Sequence, residues 1–253
     1  MSKKIVIANW KMNPLSVKAA LKLFGSVSRS LAKIKNTKVV ICPPFIYLQN
    51  VKKFTRKALL GAQDAYFGEV GAFTGEVSSE MLYDIGVRYV ILGHSERRAE
   101  GEDNTLINKK LKAALASSII PILCIGENIR DEKHEYFSIV QSQVTECLKN
   151  IPKNMIPKII VAYEPVWALS TTKNRRDASP KDCEEMVIFI RKTIATLFSR
   201  EVAGKIKILY GGSVTPRDTE DFLKEGGVDG LLVGRASLDA KKFSQIISIA
   251  ENI

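Results

Sequence analysis

The sequence predicts an α/β protein that folds as a single-domain (β/α)8 barrel, in which parallel strands alternate with helices and close into a cylinder. Short β-branched runs alternate with longer amphipathic stretches along all 253 residues. The runs are apolar throughout, as is typical of parallel strands that are covered on both faces. The chain also has the length of one complete barrel, about 250 residues. We therefore expect residues 1–253 to form one catalytic domain.

Eight apolar runs predict the strands, at residues 5–8, 38–42, 58–61, 89–92, 120–124, 159–162, 206–210 and 230–233. Amphipathic stretches predict helices at residues 17–30, 79–82, 104–117, 136–148, 181–198 and 217–224. Ser179 and Pro180 form a strong helix start, because serine caps a helix N-terminus and proline fits the first helical position. Thr215 and Pro216 suggest a second such start.

A doubly wound open sheet is the structural alternative, because it is built from the same alternation of strands and helices. Many proteins of that class carry the pattern Gly-x-Gly-x-x-Gly after the first strand. The pattern does not follow the first predicted strand here, and no low-complexity linker divides the chain. The closed barrel is therefore the preferred prediction.

The chain is basic, with 38 Lys and Arg against 27 Asp and Glu and a net charge of +11. A positive field attracts nucleic acid, acidic surfaces and small anionic substrates alike. Most of the basic residues are scattered through predicted helices, where a solvated helix face explains them. No apolar run approaches the ~20 residues of a membrane-spanning helix, and no secretion signal is readable. We expect no nucleic acid and no membrane among the partners.

The chain has four cysteines, Cys42, Cys124, Cys147 and Cys183, none of them in a Cys-x-x-Cys pair. This usage is typical of a reducing compartment and predicts a cytoplasmic location. The two histidines are far apart in the sequence, which does not favour a zinc site. We expect the protein to use no metal and no cofactor.

Catalytic groups of such a barrel lie where the strands end, at their C-terminal edge and in the loops that follow. This rule selects an unusual concentration of polar, charged and glycine residues: Asn9, Lys11, Gly93, His94, Ser95, Glu96, Glu164, Gly211, Gly212, Ser213, Gly234 and Arg235. The sequence therefore predicts one catalytic centre at this rim.

Glu164 is the candidate general base, because it ends an apolar strand and is followed by Pro165, which stiffens the chain. A structural salt bridge is the alternative. His94 precedes residues 95–98, which look like a helix start, so backbone N–H groups would face the imidazole and favour its neutral form. A neutral imidazole can donate to a carbonyl oxygen, although a hydrogen-bonded core histidine is the simpler interpretation. Lys11 could balance negative charge on a substrate oxygen, although most lysines are surface residues.

Glycine-rich turns follow the seventh and eighth predicted strands, at Gly211-Gly212-Ser213 and at Gly234. In barrels of this class these two loops commonly form a phosphate site. The turns therefore predict a phosphorylated substrate.

Six segments resemble one family, that of triosephosphate isomerase. They are Asn-Trp-Lys-Met-Asn at 9–13, Gly-Ala-Phe-Thr-Gly-Glu at 71–76, Gly-His-Ser-Glu-Arg-Arg at 93–98, Cys-Ile-Gly-Glu at 124–127, Tyr-Glu-Pro-Val-Trp-Ala at 163–168 and Tyr-Gly-Gly-Ser-Val at 210–214. They occur in the family's order from the first strand to the last, so the resemblance covers essentially the whole chain. It implies the TIM-barrel fold.

The resemblance also implies an activity: interconversion of dihydroxyacetone phosphate and D-glyceraldehyde 3-phosphate, a step of glycolysis and gluconeogenesis. Glu164 would take a proton from the carbon next to the carbonyl and return it to the neighbouring carbon, through an enediolate. His94, as a neutral electrophile, and Lys11 would stabilise the oxygens, with Asn9 assisting. Asn9 and Lys11 would also contact the phosphate side of the substrate. Glu96 would support this group. Neither metal nor nucleotide is implied.

The resemblance further implies a lid and a partner subunit. The family closes the loop after the sixth strand over the substrate, and the backbone N–H of Ser170 would contact the phosphate. Here Ser170 and Thr172 stand where the family has glycines, and residues 174–178 form a longer stretch than usual. Arg235 stands where a second glycine is frequent, and its N–H stays available. Thr74 would lie near Asn9 and Lys11 of a second copy, in a homodimer.

Two other functions fit the sequence. One is another phosphosugar barrel with the same phosphate site, which an assay of both triose phosphates would distinguish. The other is a basic nucleic-acid-associated or scaffolding relative with impaired turnover, which predicts salt-sensitive nucleic-acid binding and no isomerisation.

Overall fold

A computed structural model of the chain describes residues 3–53, 57–169, 172 and 175–253. Eight parallel strands form a closed barrel in sequence order. The strands are β1 (Ile5–Asn9), β2 (Lys38–Cys42), β3 (Leu59–Ala62), β4 (Tyr89–Leu92), β5 (Ile120–Ile125), β6 (Ile160–Tyr163), β7 (Lys207–Tyr210) and β8 (Gly230–Val233). The predicted (β/α)8 barrel is confirmed.

The barrel closes through pairing of the first and last strands, with Ile5 opposite Gly230 and Ala8 opposite Val233. Gly230 is required at this seam, because a Cβ on it would lie 1.9 Å from the backbone oxygen of Ile5. All eight predicted strands are present, and their ends differ from the prediction by one residue at most. Because β6 ends at Tyr163, Glu164 is the first residue beyond it.

The described residues form ten α-helices: α1 (Val17–Ser30), α2 (Leu48–Lys52), α3 (Ser79–Asp84), α4 (Ser95–Ala99), α5 (Asn104–Ala116), α6 (Tyr136–Cys147), α7 (Pro180–Leu197), α8 (Arg200–Lys205), α9 (Thr219–Glu225) and α10 (Ala240–Glu251). The predicted start of α7 is confirmed, since Ser179 accepts from the Asp182 N–H with Pro180 in the first turn. No helix within the described ranges is both long enough and apolar enough to cross a membrane.

The helix prediction was wrong or incomplete at several places. Helix α9 begins at Thr219 rather than at 217, because Asp218 accepts from the Thr215 N–H and holds residues 215–218 in a turn. Helix α3 runs to Asp84, two residues further than predicted. Helices α2, α8 and α10 were not predicted. Helix α10 has a clear signal, since Asp239 caps it and its apolar residues recur at helical spacing.

The core has two layers, separated by the barrel wall. Side chains of alternate strand residues fill the barrel interior, among them Ile7, Ile91, Ile122 and Leu209. The intervening residues face outward and pack against the helices. Because the interior is filled by side chains, a substrate has room only at an end of the barrel.

Candidate active site

A cavity of about 940 Å³ opens at the C-terminal ends of the strands. Residues from the first, fourth, sixth, seventh and eighth strand ends line it, including Asn9, Lys11, His94, Glu164, Gly211, Gly212, Ser213, Gly234 and Arg235. The rim that the strand-end rule selected is therefore a single cavity.

Glu164 is fixed by its backbone and by one carboxylate oxygen. Its N–H donates to the Ile125 carbonyl at 2.8 Å, and its Oε2 accepts from the Ser95 N–H at 3.0 Å. The residue is only 2% exposed. Its Oε1 lies 3.3 Å from His94 Nε2. This oxygen has no hydrogen-bond partner among the described residues. An unpaired buried carboxylate oxygen is costly to keep, so its position in the cavity marks Oε1 as a candidate proton acceptor.

Two glycines allow the chain to approach Glu164 closely. A Cβ on Gly211 would lie 2.9 Å from the Glu164 Cγ, and a Cβ on Gly126 would lie 1.8 Å from the Glu164 backbone oxygen. Gly126 is held in turn by Gln143, whose side chain bonds to its N–H at 2.8 Å and to its carbonyl at 3.0 Å. Sequence reasoning assigned no role to Gly126, although it directly follows the fifth strand and lies in a family-like segment.

His94 caps the N-terminus of α4, as the sequence predicted. Its Nδ1 accepts from the Glu96 N–H at 3.2 Å. A ring nitrogen that accepts a hydrogen bond carries no proton, so the neutral ring holds its proton on Nε2. That nitrogen is the one nearest the Glu164 carboxylate. His94 is therefore oriented to act as a neutral donor toward the cavity.

Lys11 has a left-handed backbone, with φ of +52°, which is uncommon for a residue other than glycine. The Lys11 N–H donates to Asn9 Oδ1 at 3.0 Å, and the Lys11 carbonyl accepts from Gln63 Nε2 at 2.8 Å. These contacts hold a strained conformation that directs the side chain into the cavity. Its Nζ lies 2.5 Å from Glu96 Oε1. Glu96 thus supports Lys11 from outside the cavity lining, and Gln63 is a support that the sequence did not reveal.

Glu127 is a fully buried carboxylate two residues beyond the end of β5. Its Oε1 accepts from the Tyr163 hydroxyl at 2.8 Å, from Trp167 Nε1 at 2.7 Å and from Arg130 Nε at 3.2 Å. Burial and the neighbouring Glu127 charge raise the pKa of the Tyr163 hydroxyl well above its usual range. Glu127 therefore holds the residues on both sides of Glu164, a role that sequence reasoning missed.

Cys124 lies against Glu164 inside the barrel. Burial raises the pKa of its thiol well above the usual value, and the Glu164 charge adds to this effect. The thiol is thus protonated and not a nucleophile. Among the residues that the structure describes, no three His, Cys, Asp or Glu side chains cluster in a way that could hold a metal ion.

The predicted phosphate-side residues have different surroundings. Ser213 and Gly234 are half-buried in the cavity wall, and Arg235 is exposed beside them. The Ser213 hydroxyl accepts from Arg175 Nη1 at 2.8 Å. Arg175 was not among the predicted site residues. The predicted phosphate contact at Ser170 lies outside the described residues.

Thr172 stands where the family has a glycine, and it forms hydrogen bonds to residues that precede it in the same loop. Its N–H donates to the Leu169 carbonyl at 3.0 Å, and its hydroxyl donates to the Val166 carbonyl at 2.5 Å. It is not among the residues with positive φ, so a β-branched side chain fits here without a left-handed backbone. Thr74 is exposed and lies outside the cavity lining.

Comparison with known proteins agrees with this geometry. The triosephosphate isomerase family model matches residues 4–250. The chain is 43% identical to a triosephosphate isomerase from Carboxydothermus hydrogenoformans over 98% of both chains. It is 42% identical to one from Rhodopirellula baltica over 99% of both chains, and 42% identical to one from a Thermoanaerobacter species over 98% of this chain and 100% of that one. The chain belongs to the triosephosphate isomerase family.

Proposed function

We propose that Glu164, His94 and Lys11 carry the interconversion of dihydroxyacetone phosphate and D-glyceraldehyde 3-phosphate, the aldose–ketose isomerisation of this family. The observation that best supports these roles is the separation of 3.3 Å between Glu164 Oε1 and His94 Nε2. A base and a neutral donor at that distance can act on adjacent atoms of one small molecule. The catalytic unit in this proposal is one domain, residues 1–253.

In the proposed reaction, Glu164 takes the proton from the carbon next to the carbonyl. The C–H bonding pair forms a carbon–carbon double bond, the π pair of the carbonyl moves to its oxygen, and an enediolate forms. The proton of the neighbouring hydroxyl moves to the former carbonyl oxygen through Nε2 of His94. Protonated Glu164 then gives its proton to the former carbonyl carbon, and the carbonyl re-forms on the carbon that lost its proton. No proton or electron is gained or lost overall, so the reaction needs no cofactor.

The negative charge that develops on the two oxygens must be stabilised within the cavity. The Nε2–H of His94 and the Lys11 ammonium supply positively polarised donors. The side-chain oxygen of Asn9 is used by the Lys11 N–H, which leaves its amide NH2 to assist at a substrate oxygen. Glu96 keeps the Lys11 ammonium in place through their contact of 2.5 Å.

The phosphate end of the substrate would bind at the turns that follow β7 and β8. Ser213, Gly234 and Arg235 are proposed to offer backbone N–H groups from the turns after β7 and β8, which commonly form a phosphate site in these barrels. The net charge of +11 favours approach of a dianionic substrate. The contribution of Ser170 stays a prediction.

We further propose that the protein is a homodimer. Apolar side chains on the loops after β1 and β3 are strongly exposed, with Met12 at 89%, Leu15 at 97%, Val70 at 85% and Phe73 at 44%. Exposed apolar side chains concentrated in two loops are typical of a protein interface. Thr74 would reach the second subunit from this surface, and Thr74→Arg should convert the dimer to a monomer in light scattering.

A cytoplasmic location is part of the proposal. All four cysteines are free and buried, and such usage fits a reducing compartment.

The experiment that tests the function is a coupled assay starting from D-glyceraldehyde 3-phosphate, with Glu164→Asp as the variant. The shorter side chain retains the charge but withdraws the carboxylate by about one methylene. We expect kcat to fall by roughly a hundredfold to ten-thousandfold, with a much smaller change in KM. Equal kcat values would remove the assigned role from Glu164. Absence of turnover in the unmodified chain would overturn the function itself.

A further inference from the structure

Arg175 reaches the phosphate side of the cavity from the loop before α7. Its Nη1 donates to the Ser213 hydroxyl at 2.8 Å, and its side chain is part of the cavity lining. It belongs to the stretch of residues 174–178 that is longer than the family's usual sequence, so the family resemblance assigns it no role.

The opposite end of the Arg175 guanidinium makes an ion pair that binds it weakly. Its Nη2 lies 3.2 Å from Asp177 Oδ1, and the Asp177 side chain is 78% exposed. Exposed pairs of this kind contribute little to stability. Arg175 itself has five N–H donors in a planar fork that matches the oxygens of a phosphate. A phosphate dianion can therefore compete successfully for this guanidinium.

The lining of the cavity contains more cationic than acidic side chains. The cationic residues that line the cavity outnumber the two acidic ones, Glu164 and Asp239; they are Lys11, Arg175, Arg217, Arg235 and Lys242. A Cβ on Gly234 would lie 3.6 Å from Lys11 Cε, so the Lys11 stem passes beside the second phosphate turn. Arg175 approaches the first turn at Ser213, and the two cations thus flank the proposed phosphate position.

We propose that Arg175 is a phosphate-binding residue of this isomerase, which recognises the phosphoryl group of the substrate through its side chain. The inference rests on the proposed function and adds a residue to it. When the phosphate occupies the turns at Ser213 and Gly234, the guanidinium donates to its oxygens in place of the Asp177 carboxylate. A side chain then supplements the backbone N–H donors of the phosphate site.

The test compares a phosphorylated and an unphosphorylated substrate. For Arg175→Ala, kcat/KM for D-glyceraldehyde 3-phosphate should fall by roughly ten- to a hundredfold, the range expected for loss of a charged hydrogen bond. The kcat/KM for D-glyceraldehyde should change by less than about twofold, since that substrate has no phosphoryl group for Arg175 to bind. Arg175→Lys should lower kcat/KM for D-glyceraldehyde 3-phosphate by an intermediate amount, because lysine retains the positive charge but lacks the planar guanidinium that can donate two parallel hydrogen bonds.

Arg176→Ala is the matched control, because it removes the same charge from the next position. Arg176 stacks over the Trp167 ring at 4.4 Å and lies 3.6 Å from Asp182, and it is not part of the cavity lining. It should leave the ratio of the two kcat/KM values unchanged. An equal loss on both substrates for Arg175→Ala, or no loss on either, would overturn the proposal.

Calorimetry with inorganic phosphate separates this proposal from the proposed function. The unmodified chain should bind inorganic phosphate roughly ten- to a hundredfold more tightly than Arg175→Ala does. That difference without any isomerase activity would leave Arg175 as an anion-binding residue and overturn only the assigned reaction. Equal phosphate affinities, together with normal isomerase activity, would overturn the role of Arg175 alone.

Discussion

The two sides of the cavity differ in how they are built. On the proposed proton-transfer side, Asn9, His94 and Glu164 are only 5%, 7% and 2% exposed. On the phosphate side, Ser213 is half-buried, and Arg175 and Arg235 are exposed. The first side is formed by residues at the ends of β1, β4 and β6, whereas the second is formed by the turns after β7 and β8 and by the loop before α7.

This difference follows from what each side of the cavity must do. Proton transfer depends on the position of two atoms, so Glu164 is fixed by hydrogen bonds, by close glycines and by the Glu127 contacts behind it. A phosphate can be bound by several alternative donors, because its oxygens accept from many directions. Of the described residues that depart from the family pattern, Arg175 and Arg235 line the cavity on its proposed phosphate side.

The largest effect should follow from a change on the buried side. His94→Gln removes the neutral imidazole that faces the substrate oxygens, and kcat should fall by roughly a hundred- to a thousandfold in the coupled assay. His134→Gln is the matched control, since the other histidine of the chain contacts Tyr136 and does not line the cavity. If His94→Gln and His134→Gln had comparable kcat values, His94 would have no catalytic role on the buried side of the cavity.

Thiol reactivity should show that the interior is closed to reagents. All four cysteines are buried, and burial raises the pKa of the Cys147 thiol from its ordinary 9.0 to about 11. A raised pKa lowers the thiolate fraction, so at pH 8 the native thiol should react with iodoacetamide roughly a hundredfold more slowly than in the unfolded chain. Mass spectrometry of the labelled positions measures this rate. Rapid native labelling of Cys124 or Cys147 would contradict the closed interior.

A smaller effect should follow from crowding Glu164 without altering it. Gly211→Ala would place a Cβ 2.9 Å from the Glu164 Cγ, and displacement of the carboxylate should lower kcat by about tenfold with little change in KM. Gly204→Ala in α8 is the control, since a Cβ there meets no atom within 4 Å. It should retain full activity. Full activity of Gly211→Ala would show that the base tolerates displacement.

The smallest effect should come from metal removal. Neither side of the cavity has a metal-binding cluster among the residues that the structure describes. Dialysis against a chelator should therefore leave kcat/KM unchanged in the coupled assay. A loss that is restored by a divalent cation would show that the proposed mechanism lacks a component.

Much of the fold could be predicted, because parallel strands buried on both faces leave a strong signal. Each predicted strand is within one residue of its observed end. Helices were predicted less completely, and α2 and α8 are short, so their patterns are weak. Helix α10 was missed despite the regular spacing of Phe243, Ile246 and Ile247.

The sequence predicted those site residues that lie at the ends of strands. Asn9, Lys11, His94 and Glu164 line one cavity because parallel strands of a closed barrel end at one rim. The contacts that support them could not be predicted, since Glu127 and Gly126 act through distances that only the folded chain defines. The Arg175–Ser213 contact joins residues 38 positions apart, and no local pattern indicates it.

The most direct test of the proton-transfer mechanism is isomerisation in D2O. A base that exchanges its proton with solvent while the enediolate is bound will deliver deuterium to the product. Starting from D-glyceraldehyde 3-phosphate, NMR should find a substantial fraction of dihydroxyacetone phosphate with one deuterium at the newly protonated carbon. Product that carries only the hydrogens of the substrate would show that the transferred hydrogen never exchanges with solvent, and would contradict the account of Glu164 as a base that exchanges its proton with solvent.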